Sequence, residues 1–398
     1  MTWEGTEEAT AMTLLEANEG AVVQLSPDGV APGLVTQARL VRIRGQNILF
    51  SPTQRAIFAL NETAADIWRS LQDGTSPDAI PRGIMRGHVD ALDAKEYVQT
   101  ALRDWERLGL IRPHAPSASA SLHKHVVQTL ALADRRIRIV YPATHAFPAI
   151  SVFRHLEVQP EATDTLLELV EHGDRIHVFR NSDWLRTCSP DEIPTVLKGE
   201  LLSEALEHGI YEIALHAAAL SSGERLILLC GDPGAGKTTL TLALAQSGFG
   251  FVSDDVTLLN CSGLGIGLPF AAGVKPGAWP LLAGYCPELA AAPIFRRPDG
   301  KRVRYIVPKH FSPVSPAPRR AIGWVILLNR DRGSRPSLDP VDAVGALRGL
   351  LNGAFAPGRD LGSTAFEVLT QVIGSAGTCS LTYSSLEDAL ELIRGACR

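Results

Sequence analysis

A glycine-rich octet at residues 231–238, placed between an apolar segment and a helix-forming one, constrains the fold of this chain most. Its letters, GDPGAGKT, fit the pattern G-x-x-x-x-G-K-[ST] in full. The preceding residues 225–230 have the composition of a buried strand, and residues 239–246 favour a helix that ends before Gly248. The glycines therefore stand where a strand must turn sharply into a helix. This is the geometry of a phosphate-binding P-loop.

The residue types of the octet predict what each part would bind. Backbone N–H groups at a helix start, together with the positive end of the helix dipole, attract a polyphosphate. The ammonium group of Lys237 would lie between the β- and γ-phosphates, and the hydroxyl of Thr238 would complete the shell of a magnesium ion. The implied cofactors are ATP and Mg²⁺. The residues predicted to bind the nucleotide are Gly231, Asp232, Pro233, Gly234, Ala235, Gly236, Lys237, Thr238 and Thr239.

Two adjacent carboxylates, Asp254 and Asp255, interrupt the apolar segment 251–259. Such a pair is costly in an apolar segment unless a cation or hydrogen bonds compensate it. We expect Asp254 to bind the magnesium ion together with Thr238. Because side chains alternate along a strand, the two aspartates would face opposite sides unless the strand ends between them. The alternative is a polar strand end with both aspartates solvated.

A histidine, His216, lies in the apolar segment 214–220 before the strand of the octet. A lone histidine in such a place is more often a core residue than a catalytic one. The order of His216, the octet and the aspartate pair resembles the catalytic domain of HPr kinases, bacterial serine kinases with a fold like that of phosphoenolpyruvate carboxykinase. The resemblance implies the catalytic set Asp255, His216, Lys237 and Asp254, with Asp255 as the base for the acceptor hydroxyl.

The chain departs from that family after the aspartate pair. The family's Glu-Arg-Gly signature is missing, and residues 263–276 contain no acidic residue. A basic segment follows at residues 296–304, with Asp299 as its one acidic residue. This segment would either clamp phosphates or form a solvated loop. The pattern looks more like the HPr-kinase-related proteins found beside peptide-modification genes than like the carbohydrate-regulating enzyme.

The N-terminal part of the chain has a separate pattern. Residues 38–50 alternate between apolar and polar side chains, which predicts a β-hairpin with its turn at 45–47. Three helices are predicted next, the first from the N-cap Asn61 to Gly74 and the last over residues 94–108. Two strands followed by three helices indicate a small α+β domain.

Segments 60–68 and 106–111 of this domain resemble PqqD, a winged-helix module that recognises the leader peptides of ribosomally made peptides. The resemblance implies that a leader peptide adds as a strand to the sheet edge, here along residues 38–44. A winged helix could also bind DNA. Residues 38–113, however, contain 11 Lys plus Arg against 9 Asp plus Glu, which is too balanced for strong phosphate neutralisation.

The expected fold class is α/β, with a small α+β winged-helix domain before a P-loop kinase domain of the HPr kinase and phosphoenolpyruvate carboxykinase type. Between these domains the composition indicates a linker. Within the second domain we expect strands at 137–141, 176–179 and 212–215, and helices at 163–172 and 193–205. The expected segments are an arm (1–36), a PqqD-like domain (37–113), a linker (114–122) and an ATP-binding domain (123–398) with its P-loop core from about residue 210.

Charge and hydropathy limit the partners that we expect. The formal net charge of −5 argues against a surface devoted to nucleic acid. The chain begins with acidic residues rather than a signal peptide, and no segment approaches the about 18 apolar residues of a membrane span. We therefore expect a cytoplasmic protein that binds neither membrane nor nucleic acid. Assembly into a homo-oligomer is left open.

The combined patterns predict an ATP-dependent kinase. Its N-terminal domain would capture a precursor peptide or small protein, and its second domain would phosphorylate a Ser or Thr hydroxyl of that partner. Two alternatives remain. The chain could be a small-molecule kinase, or an ATP-gated peptide-binding chaperone that transfers no phosphoryl group.

Overall fold

The chain divides into two compact units, residues 1–101 and 102–398, and the division falls within the third helix. The predicted arm (1–36) and linker (114–122) lie outside the described residues. No helix in the described part of the chain is both long and apolar enough to cross a membrane. The computed structural model describes residues 38–52, 56–84, 91–108, 110–111, 125–309, 311, 318–331, 333–356 and 361–397.

The N-terminal part forms a three-stranded antiparallel sheet followed by helices, with β2 in the centre of the sheet. The hairpin turn consists of Arg44 and Gly45, with φ of 47° and 83°, so it begins one residue before the predicted turn. The third strand, β3, was not expected. The elements are β1 (Arg39–Ile43), β2 (Gln46–Ser51), β3 (Ala56–Leu60), α1 (Glu62–Gln72), α2 (Ile80–Ile84) and α3 (Ala91–Arg107).

The first helix begins where the sequence predicts. The side chain of Asn61 accepts a hydrogen bond from the backbone N–H of Ala64 at 2.8 Å, which satisfies one of the free donors of the first turn. Ile67 and Trp68 are buried. The helix ends at Gln72, and Gly74 follows with φ of 79°, where glycine is unstrained.

The second unit opens with a five-stranded sheet in the order β4-β5-β6-β7-β8. The predicted helix at 163–172 is wrong, because this segment is strand β6. Its buried positions alternate, and it pairs with both β5 and β7, so strand pairing overrides the helix-like local composition. The predicted helix at 193–205 is confirmed as α5. The elements are β4 (His125–Leu132), β5 (Arg135–Pro142), α4 (Ala143–Phe153), β6 (Thr165–His172), β7 (Arg175–Arg180), β8 (Asp183–Cys188) and α5 (Ile193–His208).

The rest of the unit is built on a mixed ten-stranded sheet, counted over the described residues. Strand β18 runs parallel to both β11 and β21, and the other pairings of this sheet are antiparallel. Its elements, with those of a small sheet formed by β15, β17 and β16, are β9 (Ile213–Leu215), β10 (Ala218–Ser222), β11 (Arg225–Cys230), α6 (Lys237–Gln246), β12 (Gly250–Ser253), β13 (Thr257–Leu259), β14 (Leu264–Gly267), β15 (Ala272–Val274), α7 (Trp279–Leu282), β16 (Phe295–Arg296), β17 (Arg302–Ile306), β18 (Arg320–Arg330), β19 (Ser337–Pro340), α8 (Ala343–Asn352), β20 (Ala354–Phe355), α9 (Ser363–Ser375), β21 (Gly377–Tyr383) and α10 (Leu386–Ala396).

Helices cover both faces of this sheet around β11. Ile227 and Leu229 pack in a core with residues of α6 and α10, whereas Leu226 and Leu228 pack in a second core with residues of α8 and α9. Successive strand side chains point to opposite faces, so an unbroken apolar strand is what a sheet covered on both sides requires. The chain is therefore mixed α/β. The octet follows directly after the carboxyl end of the buried strand β11.

Candidate functional site

The octet begins at the carboxyl end of β11 and ends in the first turn of α6, so the predicted strand and helix are both present on either side of it. Gly234 and Gly236 have φ of 93° and 95°, where a side chain would be strained. A Cβ at Gly236 would also collide with the hydroxyl of Tyr383. That hydroxyl donates a hydrogen bond to the carbonyl of Ala235. The end of β21 therefore holds the loop in place.

Lys237 is the first residue of α6, and its side chain is folded back over the loop. Its Nζ donates a hydrogen bond to the carbonyl of Gly231. Burial lowers the pKa of Lys237, and the charges of Asp255 and Asp254 act against that shift. The ammonium group thus lies against the first residue of the loop, near both carboxylates of the aspartate pair.

Strand β12 ends at Ser253, immediately before the aspartate pair. The alternation of a strand therefore does not force the two carboxylates apart. Asp254 is 5% exposed, which excludes the alternative of two solvated aspartates. Its Oδ2 accepts a hydrogen bond from the N–H of Gly273 at 3.3 Å, while its Oδ1 is buried without a partner among the described residues. Burial raises the pKa of Asp254 to about 6, with the charge of Lys198 opposing the shift.

Thr238 and Asp254 fit a magnesium ion. The hydroxyl of Thr238 acts to lower the pKa of Asp254, so the two side chains lie close together, and the unpartnered oxygen of Asp254 offers a hard ligand. Magnesium in nucleotide sites is commonly held by one or two protein oxygens plus phosphates and water. Among the described residues, no group of three or more His, Cys, Asp and Glu side chains could hold a metal by itself. Phosphate oxygens and water would have to complete the shell.

Asp255 lies between two basic side chains. The Nδ1 of His216 is 3.1 Å from its Oδ1, and the Nζ of Lys198 is 3.7 Å from its Oδ2. Burial alone would raise the pKa of Asp255. The hydrogen bond from His216 and the charges of Lys198 and Lys237 outweigh burial and hold this pKa well below its usual range. The carboxylate is therefore ionised and oriented at both oxygens.

His216 reaches Asp255 from the connection between β9 and β10 rather than from within a strand. Its side chain is 43% exposed, so it is not the core histidine that its apolar surroundings in the sequence favoured. Its Nδ1 must carry a proton to donate to the carboxylate, which leaves Nε2 for another partner. The structure thus brings together all four predicted catalytic residues at one end of β11 and β12.

Lys198 is a site residue that the sequence analysis missed. It lies on α5 with its side chain 16% exposed, and its Nζ also lies 5.7 Å from the ring centre of Phe270. The sequence signal is weak. Lys198 is a single lysine in a helix whose neighbouring positions Leu197 and Leu201 are fully buried. No motif links it to the octet.

The position of Lys198 depends on ion pairs along the same helix. Glu200 and Glu204 are 5% and 1% exposed. Glu200 lies 3.1 Å from a guanidinium nitrogen of Arg180 on β7, and Glu204 lies 2.9 Å from one of Arg135 on β5. Because a buried carboxylate is costly without such partners, these pairs hold α5 in one register on the five-stranded sheet.

The basic segment 296–304 does not form a free cluster of cations. Arg296 pairs with Asp191, and Arg297 pairs with Asp299, both at 3.0 Å. Arg304 lies over the ring of Trp279, 4.3 Å from its centre. These arginines are engaged within the unit, which disfavours the phosphate-clamp alternative.

Residues 46–111 match the model of a family described as "Coenzyme PQQ synthesis protein D (PqqD)". These residues form a PqqD-like domain. They fall within the predicted range 37–113, and the match begins at β2. A solved structure described as "TbiB1 in Complex with the TbiA(beta) Leader Peptide" is similar, with 20% identity, 21% of this chain and 98% of that chain covered, and a TM-score of 0.20. No curated protein matches this chain.

Within the described part of the chain, the three-stranded sheet has two edges, β1 and β3. The predicted leader edge 38–44 contains β1, which lies outside the matched residues, whereas β3 lies within them. Ile57 on β3 is 71% exposed and pairs with Phe50, which is 42% exposed. Val41 on β1 is 43% exposed. The PqqD-like domain therefore presents an apolar edge strand at β3 as well as the one that the sequence predicted.

Proposed function

We propose that this protein is an ATP- and magnesium-dependent kinase that phosphorylates a Ser or Thr hydroxyl of a ribosomally made precursor peptide. One observation carries the proposal. A phosphate-binding loop geometry, a buried lysine, an unpartnered buried carboxylate oxygen and an ionised aspartate meet within one site. Each part has a separate task in phosphoryl transfer.

In the proposed reaction, loop amides and Lys237 hold the phosphates of ATP. Thr238 and Asp254 would hold a magnesium ion, which would supply positive charge beside the phosphates. Asp255 orients the acceptor hydroxyl and takes its proton as the new O–P bond forms and the bond from the γ-phosphorus to the bridging oxygen breaks, releasing ADP. His216 and Lys198 keep Asp255 ionised and aimed.

The PqqD-like domain supplies the peptide partner in this proposal. When a leader peptide binds as an added strand, main-chain hydrogen bonds provide affinity and side-chain contacts provide selectivity. Tethering then raises the effective concentration of the acceptor hydroxyl near the second unit to the millimolar range or so. The two units would thus act on one chain in sequence.

Incubation with γ-labelled ATP and a candidate precursor peptide tests the proposal. Label on a Ser or Thr of the peptide is the expected result. Free phosphate without labelled peptide would instead indicate the chaperone alternative, and label on a metabolite would indicate a small-molecule kinase.

Replacing Lys198 with methionine should lower turnover by about tenfold and leave magnesium-ATP affinity nearly unchanged. The variant keeps the length of the side chain but removes the cation that faces Oδ2 of Asp255, an ion-pair contribution on the order of 1 kcal/mol or more. Steady-state kinetics and calorimetry with ATP measure the two quantities. Lys198→Arg should recover part of the rate. Full turnover in the methionine variant would show that Lys198 has no positioning role.

Placing a charge on β3 should weaken capture of the precursor. In Ile57→Asp, a strand added at this edge would meet a carboxylate where it now meets an apolar side chain, so we expect the KM for the precursor to rise about tenfold with turnover at saturation unchanged. Val41→Asp on β1 is the matched control. If the control weakens capture instead, the leader binds at the edge that the sequence analysis predicted.

A further inference from the structure

A cavity of about 480 Å³ opens beside the first half of the octet. We call it the His216 cavity. It lies between the start of the loop at Gly231, the connection that carries His216, and the segment from the end of α8 to β20. This volume falls in the range of about 300–1,000 Å³ that small-ligand sites occupy.

The position of the His216 cavity indicates whether it adjoins the phosphoryl end or the nucleoside end of a bound nucleotide. His216 lines the cavity and is hydrogen-bonded through Nδ1 to Asp255, the group that receives the acceptor proton. The transferred phosphoryl group must lie next to Asp255, and the nucleoside is attached at the opposite end of the triphosphate. The cavity therefore adjoins the acceptor side of the reaction.

Polar and apolar atoms contribute about equally to the wall of the His216 cavity. Leu327, Leu350 and Phe355 contribute to it, together with backbone at glycine positions of α8 and its end. Apart from His216, the one ionisable oxygen or nitrogen side chain among its lining residues is Asp232 on the loop. An acidic group placed there would lose water and would meet the like charge of Asp232.

We propose that the His216 cavity receives the residue next to the acceptor Ser or Thr, and that this residue is not acidic. The inference rests on the proposed kinase function and specifies its substrate. A precursor with Asp or Glu beside its acceptor residue is therefore expected to be a poor substrate of this protein.

Short synthetic serine peptides that differ only in the residue flanking serine test the inference. At millimolar concentration with the full chain, Mg²⁺ and γ-labelled ATP, leucine and alanine peptides should be phosphorylated at least about tenfold faster than aspartate peptides. Equal rates, faster aspartate peptides, or no labelled peptide from a protein that binds magnesium-ATP would each overturn it. Absence of magnesium-ATP binding in calorimetry, by contrast, is the failure of the proposed function itself.

Two neighbouring positions on α8 provide a matched pair of variants. Asn352 lines the cavity at the exposed end of the helix, whereas the exposed Leu351 does not line it. Asn352→Arg should raise the rate of aspartate peptides relative to leucine peptides by about tenfold, and Leu351→Arg should leave the ratio unchanged. Phe355→Ala should leave ATP affinity unaltered, because the inference places the acceptor rather than the nucleoside beside Phe355. A large loss of ATP affinity in Phe355→Ala would place the nucleoside in this cavity and contradict the inference.

Discussion

Replacing Lys237 with alanine should abolish measurable turnover and weaken magnesium-ATP binding by about 10- to 100-fold. A hydrogen bond between charged groups contributes about 1.5–3 kcal/mol, which corresponds to that range of affinity. The effect on turnover is larger, because charge on the phosphoryl oxygens rearranges in the transition state and a preorganised cation there contributes about 10²–10³-fold or more. Isothermal titration with ATP and a single-turnover transfer assay measure the two effects.

The control for this variant is Lys309→Ala. Lys309 is 58% exposed and pairs with Glu288, which has no role in the proposed site, so its loss should alter neither quantity. Lys237→Met, which keeps the apolar part of the buried side chain, distinguishes loss of charge from loss of packing. Tight magnesium-ATP binding by both Lys237 variants would show that the loop does not hold a triphosphate.

Replacing Asp255 with asparagine should reduce turnover by about 10²–10⁴-fold while magnesium-ATP affinity stays within about threefold. The amide keeps the shape of the side chain and an oxygen that can accept from His216, but it cannot take a proton from the acceptor. The nucleotide contacts of the loop, Lys237 and Thr238 are untouched by this change. The Asp255→Asn variant therefore loses turnover but keeps its magnesium-ATP affinity, whereas Lys237→Ala loses both.

Asp339→Asn is the matched control, because Asp339 is an exposed aspartate on β19 whose Oδ2 accepts from Ser337. It should leave turnover unchanged. If Asp255→Asn transfers phosphate at the normal rate, Asp255 is not the base. If it loses magnesium-ATP affinity as strongly as Lys237→Ala does, its role is in nucleotide or metal binding instead.

Several elements followed from the sequence because their signals are local. The octet joins β11 to α6 as its glycines require, and Asn61 caps α1 through a bond to a residue three positions later. Helix α5 was recognisable from its composition. The linker between the predicted domains lies outside the described residues, so that prediction stands as it was.

Other predictions failed where the deciding contacts are distant in sequence. Residues 165–172 have a composition that also suits a helix, but β5 and β7 offer backbone partners on both sides and make the segment a strand. Strand β3 was missed for a related reason, because its short apolar run is defined by pairing with β2. The period of apolar residues in one segment carries no information about which strands lie beside that segment.

The sequence by itself determined the residues of the loop, the aspartate pair and the start of α1 at Asn61, because these signals lie in residues that are neighbours along the chain. Only the tertiary structure decided that His216 and Lys198 meet at Asp255 and that one oxygen of Asp254 is buried without a partner. Those relations come from helices and strands packed around a shared core, where the distance between two charges depends on the whole fold. The same packing makes a buried charge costly. The carboxylate of Asp255 is accordingly paired with basic side chains, and that of Asp254 keeps one oxygen available to a cation.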